Sequence, residues 1–293
     1  MSTPADNTIT GVASKTSNLS ILVQALVKAD LAATLQGAGP YTVFAPTNAA
    51  FTAFLSANSY ASINDVPKEA LTQILLNHVV SGAVKSNALT TGYIKTLAKG
   101  SASTTNTLSM FVNTGSSMVK LNGDAMVTTA DVTASNGVIH IVDKVIALPT
   151  IVTHATANPN FTSLVGALTG AGQPNFVSIL SGVGPFTVFA PTNDAFTALN
   201  TELAGSGGIA GVSSTNLTKV LQYHVVNGNI LASSLTEGQV VSTLQTPQTF
   251  KITLSGGAKI TDARSRISTI SATDVQCSNG VIHVLDKVLL PTF

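Results

Sequence analysis

His78 and His224 end two matching stretches, LTQILLNHVVSG at 71–82 and LTKVLQYHVVNG at 217–228. A second pair, His140 and His283, stands in NGVIHIVDKVIALP at 136–149 and NGVIHVLDKVLLP at 279–291. An imidazole titrates near neutrality, so each is a candidate general acid–base or metal ligand. Asp131, Asp274, Asp143 and Asp286 lie close in sequence and would add carboxylates if the fold converged them. A stable transition-metal site takes three or four ligands with clustered spacing. The repeated pair of histidines in each copy falls short of that, so neither a metal nor a cofactor is expected. The chain carries no G-x-S-x-G or H-E-x-x-H pattern, so no catalytic residue is assigned and the chain is read as not an enzyme.

The spacing around these residues describes the elements that hold them. Leu71, Ile74 and Leu75 form a helical stripe that reaches His78 at i+7, as Leu217, Val220 and Leu221 reach His224. Each of these histidines therefore sits on a buried face at a helix C-terminus. There an imidazole serves unpaired carbonyls and complements the dipole, with a catalytic or metal role as the alternative. His140 and His283 share a face with their valine neighbours inside nearly continuous apolar strands at 138–142 and 281–285, which are expected to be buried on both sides. Asp131 and Asp274 precede an Asn-Gly and are read as acceptors of backbone N–H groups in a turn. Asp143-Lys144 and Asp286-Lys287 break the last strand and read as an exposed edge or a partner contact.

TVFAPTNAAF at 42–51 returns as TVFAPTNDAF at 187–196. It reads as a short strand stopped by Pro46 or Pro191, then a helix capped by Thr47 or Asn48 that buries Phe51, Phe54 and Leu55. Leu19, Leu22, Val23 and Leu26 mark an earlier amphipathic helix. The pairs 108–112 with 118–121 and 250–254 with 259–261 read as hairpins. Since the landmarks repeat in order, the chain is read as two tandem domains, 7–149 and 150–293, each α+β with helices early and strands late.

Charged residues are only 9 % of the 293, with 14 Lys+Arg against 13 Asp+Glu. No basic field exists to draw nucleic acid, and no apolar run is long enough to enter a membrane as a helix. The single cysteine, Cys277, excludes an internal disulfide and reads as a small buried residue. The Ser/Thr/Asn-rich composition and the sequons at Asn18, Asn160 and Asn216 fit an extracellular or cell-surface protein. Met1-Ser2-Thr3-Pro4 does not open a signal peptide, so a leader or anchor is expected to be missing from this sequence.

Each copy resembles a fasciclin (FAS1) domain across nearly all residues from about 7 to 293. TVFAPTNAAF resembles the first signature of that family, NGVIHIVDKVIALP the second, and Gln222–Val226 the Tyr-His motif between them. The first copy departs where Asn77 replaces the tyrosine. The resemblance implies a β-sandwich or wedge with helices packed along one side. It also implies a non-enzymatic adhesion or interaction module that meets extracellular matrix, polysaccharide or a cell-surface protein. In that family residues near the second signature are tied to receptor binding, so Asp143 and Asp286 join Tyr223 and His224 as partner-binding candidates. His78, His224, His140, His283, Pro46 and Pro191 are read as structural motif residues. The alternative function is carriage of an apolar small molecule, a lipid or carotenoid, although only 5 % aromatic content and no tryptophan disfavour a flat polyene.

Overall fold

In the computed structural model, which describes residues 6–115 and 118–293, the main division of the chain lies between Pro149 and Thr150. The first unit opens with helices α1 (Ile9–Lys15), α2 (Ser20–Lys28) and α3 (Ala32–Gln36) and strand β1 (Tyr41–Pro46). It continues with α4 (Asn48–Ala57), α5 (Lys68–Leu76) and β2 (Val79–Ser81). Strands β3 (Gly92–Gly100), β4 (Ser103–Asn113), β5 (Lys120–Leu121), β6 (Ala125–Ala134) and β7 (Gly137–Val142) complete it. The second unit repeats the plan with α6 (Ile151–Ala157), α7 (Thr162–Thr169), α8 (Phe176–Ser181), β8 (Phe186–Pro191), α9 (Asn193–Glu202) and α10 (Ser214–Tyr223). Its remaining strands are β9 (Val225–Asn227), β10 (Val240–Ser242), β11 (Thr249–Thr253), β12 (Lys259–Thr261), β13 (Ile267–Cys277) and β14 (Gly280–Leu285). The Met1–Pro4 opening lies outside the described residues. No described helix is long and apolar enough to cross a membrane.

Each unit is α+β, with one seven-stranded sheet in the order β2-β1-β7-β6-β5-β4-β3 or β10-β11-β12-β13-β14-β8-β9. The expected hairpins form, with Val112 opposite Leu121 and Ile252 opposite Ile260. The strand pattern does not announce the central pairing. β1 runs parallel to β7, Val43 beside Ile139, and β8 runs parallel to β14. The sheet curls, so β3 returns beside β2, and in the second unit Leu244 N–H donates to the Val225 carbonyl at 2.8 Å.

Curling gives the central strands two apolar faces. Val43, Ala45 and Ile139 pack against the helices with Leu22, Leu26 and Phe51. Phe44 and Val142 turn the other way, onto Met110, Val112 and Leu121 inside the curl. That explains why 138–142 reads as a continuous apolar run rather than an alternating one. It also corrects one expectation. Asp143 and Asp286 do not mark a sheet edge, because β7 lies between β1 and β6 and β14 between β8 and β13.

Candidate functional site

Both members of the first histidine pair are buried at the C-terminal ends of α5 and α10. The Ile146 N–H donates to His78 Nε2 at 2.8 Å, so that nitrogen is unprotonated and Nδ1 donates to the Ile74 carbonyl at 2.7 Å. The second unit repeats the bracket, with Leu289 N–H on His224 Nε2 at 2.9 Å and Nδ1 on the Val220 carbonyl at 2.7 Å. Burial pushes each of these imidazoles down to about 4, the lost hydration outweighing the bond to the helix carbonyl and, at His224, the nearby Asp262 carboxylate. Each ring thus ties a helix end to the segment that follows the last strand.

His140 and His283 serve a different joint. In β6 and β13 the register slips, and Asp131 and Asp274 adopt φ of +62° and +58°. This bulge turns the Asp131 N–H onto His140 Nδ1 at 3.2 Å and the Asp274 N–H onto His283 Nδ1 at 3.4 Å. Nε2 then donates to Val84 O at 2.9 Å or Ile230 O at 2.8 Å. The two carboxylates accept backbone N–H groups, in agreement with their spacing: Ser86 N on Asp131 and Ala232 N on Asp274, each at 2.8 Å. Ser86 also donates its hydroxyl to Asp131 at 2.5 Å, and these bonds hold that carboxyl below its usual range. Burial lowers His283. Among the described residues no three His, Cys, Asp or Glu side chains converge.

Tyr223 is buried, its hydroxyl donating to the Thr249 carbonyl at 2.6 Å and accepting from Ala263 N at 3.0 Å. Burial pushes it up to about 12. Asn77, the first unit's replacement, is equally buried and ties different backbone, donating to the carbonyls of Ile146 and Ala147 at 3.2 and 3.1 Å. A partner at the surface therefore cannot touch Tyr223 or His224. That corrects their reading as direct contacts. Asp286 is exposed and Asp143 half-buried, yet both are also committed to backbone: Met126 N donates to Asp143 at 2.7 Å and Thr269 N to Asp286 at 2.6 Å. Lys144, next to Asp143, pairs with Asp124. Arg266 is held by Glu202 at 2.7 Å and Asp262 at 3.3 Å.

Pro46 and Pro191 end β1 and β8, and Thr47 and Thr192 cap the next helix, accepting from Ala50 N and Ala195 N. Asn48 and Asn193 have a role that the repeat pattern alone does not reveal. Asn48 Oδ1 accepts from Ile21 N at 2.9 Å while Nδ2 donates to Ser17 O at 3.1 Å, pinning the start of α2. Asn193 does the same for α7 through Ser163 N and Pro159 O. Asn136 and Asn279 likewise escape the sequence reading. Asn136 accepts from Ile9 N at 2.9 Å and donates to Leu35 O and Gly37 O at 2.8 and 2.7 Å, joining the β6–β7 turn to α1 and α3. Their appearance at matched places in both copies is the signal that could have found them.

Known proteins carry the same pattern. The fasciclin domain profile matches residues 17–149 and 159–291. Protein sll1483 of Synechocystis sp. is 44 % identical over 142 residues, 48 % of this chain and 73 % of that protein. Human periostin is 28 % identical across 88 % of this chain, which spans only 29 % of periostin. The solved FAS1 domain pair of the insect cell adhesion molecule fasciclin I covers 96 % of this chain and 95 % of its own, with a TM-score of 0.54 at 19 % identity, and so shares the fold. With both copies matched and the signature residues placed, the chain belongs to the fasciclin domain family.

Proposed function

We propose that this chain is a non-enzymatic interaction module of an extracellular or cell-surface setting, meeting matrix, polysaccharide or a cell-surface protein through its exposed surface. The observation that carries this reading is the commitment of the repeated polar residues. The four repeated histidines, Tyr223 and the paired Asn and Asp residues spend their polar atoms on backbone groups of their own unit. What the motifs build is a stiff scaffold, which leaves recognition to the surface around them. Asp286 and Asp143, at the ends of the central strands, hold backbone through Oδ1, and the other carboxylate oxygen of each is the proposed contact point. Two such units in one chain raise avidity when a partner presents repeated sites.

The test is retention on a panel of immobilised matrix proteins and polysaccharides. The intact chain is expected to be retained on at least one of them, and Asp286→Lys with Asp143→Lys to weaken that retention. Retention no better than serum albumin throughout would sink the reading. A second reading, carriage of an apolar small molecule, is favoured by one observation: a cleft under α6, α7 and α8 whose lining is almost wholly apolar.

A further inference from the structure

We infer that this cleft in the second unit is a binding site for a single uncharged aliphatic chain, an inference that rests on the carrier reading and gives it a location. Its walls are Ile151, Phe161, Leu164, Leu168, Phe176 and Ile282, with the exposed Val177 and Thr156 at the rim. The space inside is narrow, about 30 Å³, so a chain enters by moving α7 outward.

The first unit shows what the same layer looks like when closed. There α2 and α3 are joined by residues 29–31 alone, and the turn is stitched by Leu31 N–H on the Leu26 carbonyl at 2.9 Å. Leu26 is 2 % exposed. In the second unit the equivalent connection runs over residues 170–175 and carries Gly170 and Gly172. Leu168, which matches Leu26 in the repeat, is left only half-buried on the cleft wall. The longer glycine-bearing connection accompanies this greater exposure of Leu168, while the deeper walls Phe161, Leu164 and Phe176 stay buried.

Charge selects the ligand. Residues 145–193 contain no Asp, Glu, Lys or Arg, whereas the first unit places Lys28 and Asp30 at the matching helix end. A carboxylate or phosphate head entering here would lose hydration without gaining a cation. Aliphatic side chains dominate the lining and only Phe161 and Phe176 are aromatic, which suits a flexible methylene chain better than a flat ring system. Val177 and Ile179 extend the apolar character onto the outer surface of α8, continuous with the mouth through Val177.

The experiment uses radiolabelled 1-dodecanol as an uncharged aliphatic probe of the full chain, with unlabelled 1-dodecanol and dodecanoate as competitors. Saturable binding at one site per chain is expected, with unlabelled 1-dodecanol displacing the probe at concentrations roughly tenfold or more below dodecanoate. Thr156→Phe, at the exposed rim, and Leu168→Phe, on the wall, are each expected to weaken probe binding about tenfold or more by filling the cleft. Ser14→Phe, the matching rim position of the first unit, is expected to leave binding unchanged. Thermal melts of all three verify folding, and because Thr156 and Ser14 are exposed in the native fold, the comparison of those two survives if Leu168→Phe does not fold. Absence of saturable binding by the intact chain overturns both the site and the carrier reading. Binding that ignores Thr156→Phe overturns the site alone, as does equal competition by dodecanoate.

Discussion

His78 and His224 are bracketed by a backbone donor on one ring nitrogen and a backbone acceptor on the other, and that geometry accepts only the neutral ring. The consequence is a pH dependence with a definite sign. Each folded-state value near 4 lies below the ordinary 6.5, so as pH falls the unfolded chain takes up protons first. Stability from these rings is complete above about pH 6.5 and is lost as pH falls toward 4, by about 3 kcal/mol for each. Urea unfolding at pH 7 and at pH 4.5 measures this, and NMR of the imidazoles should show no titration between pH 8 and 5. Midpoints near 6.5 would mean that the rings are hydrated and available for other work. Tyr223 offers a second check. Tyr223→Phe keeps the ring but strands the Thr249 carbonyl and the Ala263 N–H, at a cost of about 2 kcal/mol by chemical denaturation.

At the scale of elements, the helices, hairpins and buried closing strands are legible in the sequence because each writes its own local period. The strand–corner–helix at TVFAPTN is readable down to its caps. Long-range joints are not. The parallel pairing of β1 with β7 joins residues about a hundred positions apart and leaves no period behind. Asn136 is hidden for a related reason. An Asn-Gly reads as a turn, whereas its side chain holds three backbone groups from α1 and from the end of α3. The following glycine is equally committed, because a Cβ on Gly137 would sit 2.0 Å from the Tyr41 carbonyl oxygen. Asn136→Ala leaves those three groups unpaired and is expected to cost about 3 kcal/mol or more, read as a lower denaturation midpoint, with Asn279→Ala acting alike in its own unit. A loss below about 1 kcal/mol would show that water replaces the amide freely.

At the scale of the whole molecule, each unit has its own apolar core and its own set of histidine and asparagine joints. The division into 7–149 and 150–293 is therefore proposed as a division into two folding units. Calorimetry on the intact chain checks it: Asn136→Ala and Asn279→Ala should displace different transitions, and a common displacement would argue for one cooperative unit. The fasciclin signatures hold each unit together, and partner recognition is proposed for the surface around them. The most direct test is retention of the His78→Gln, His224→Gln variant on whichever immobilised partner holds the intact chain, at a temperature where both stay folded. Unchanged retention with a lowered melting temperature is expected. Lost retention with an unchanged melting temperature would place the histidines in the binding site and contradict the scaffold reading.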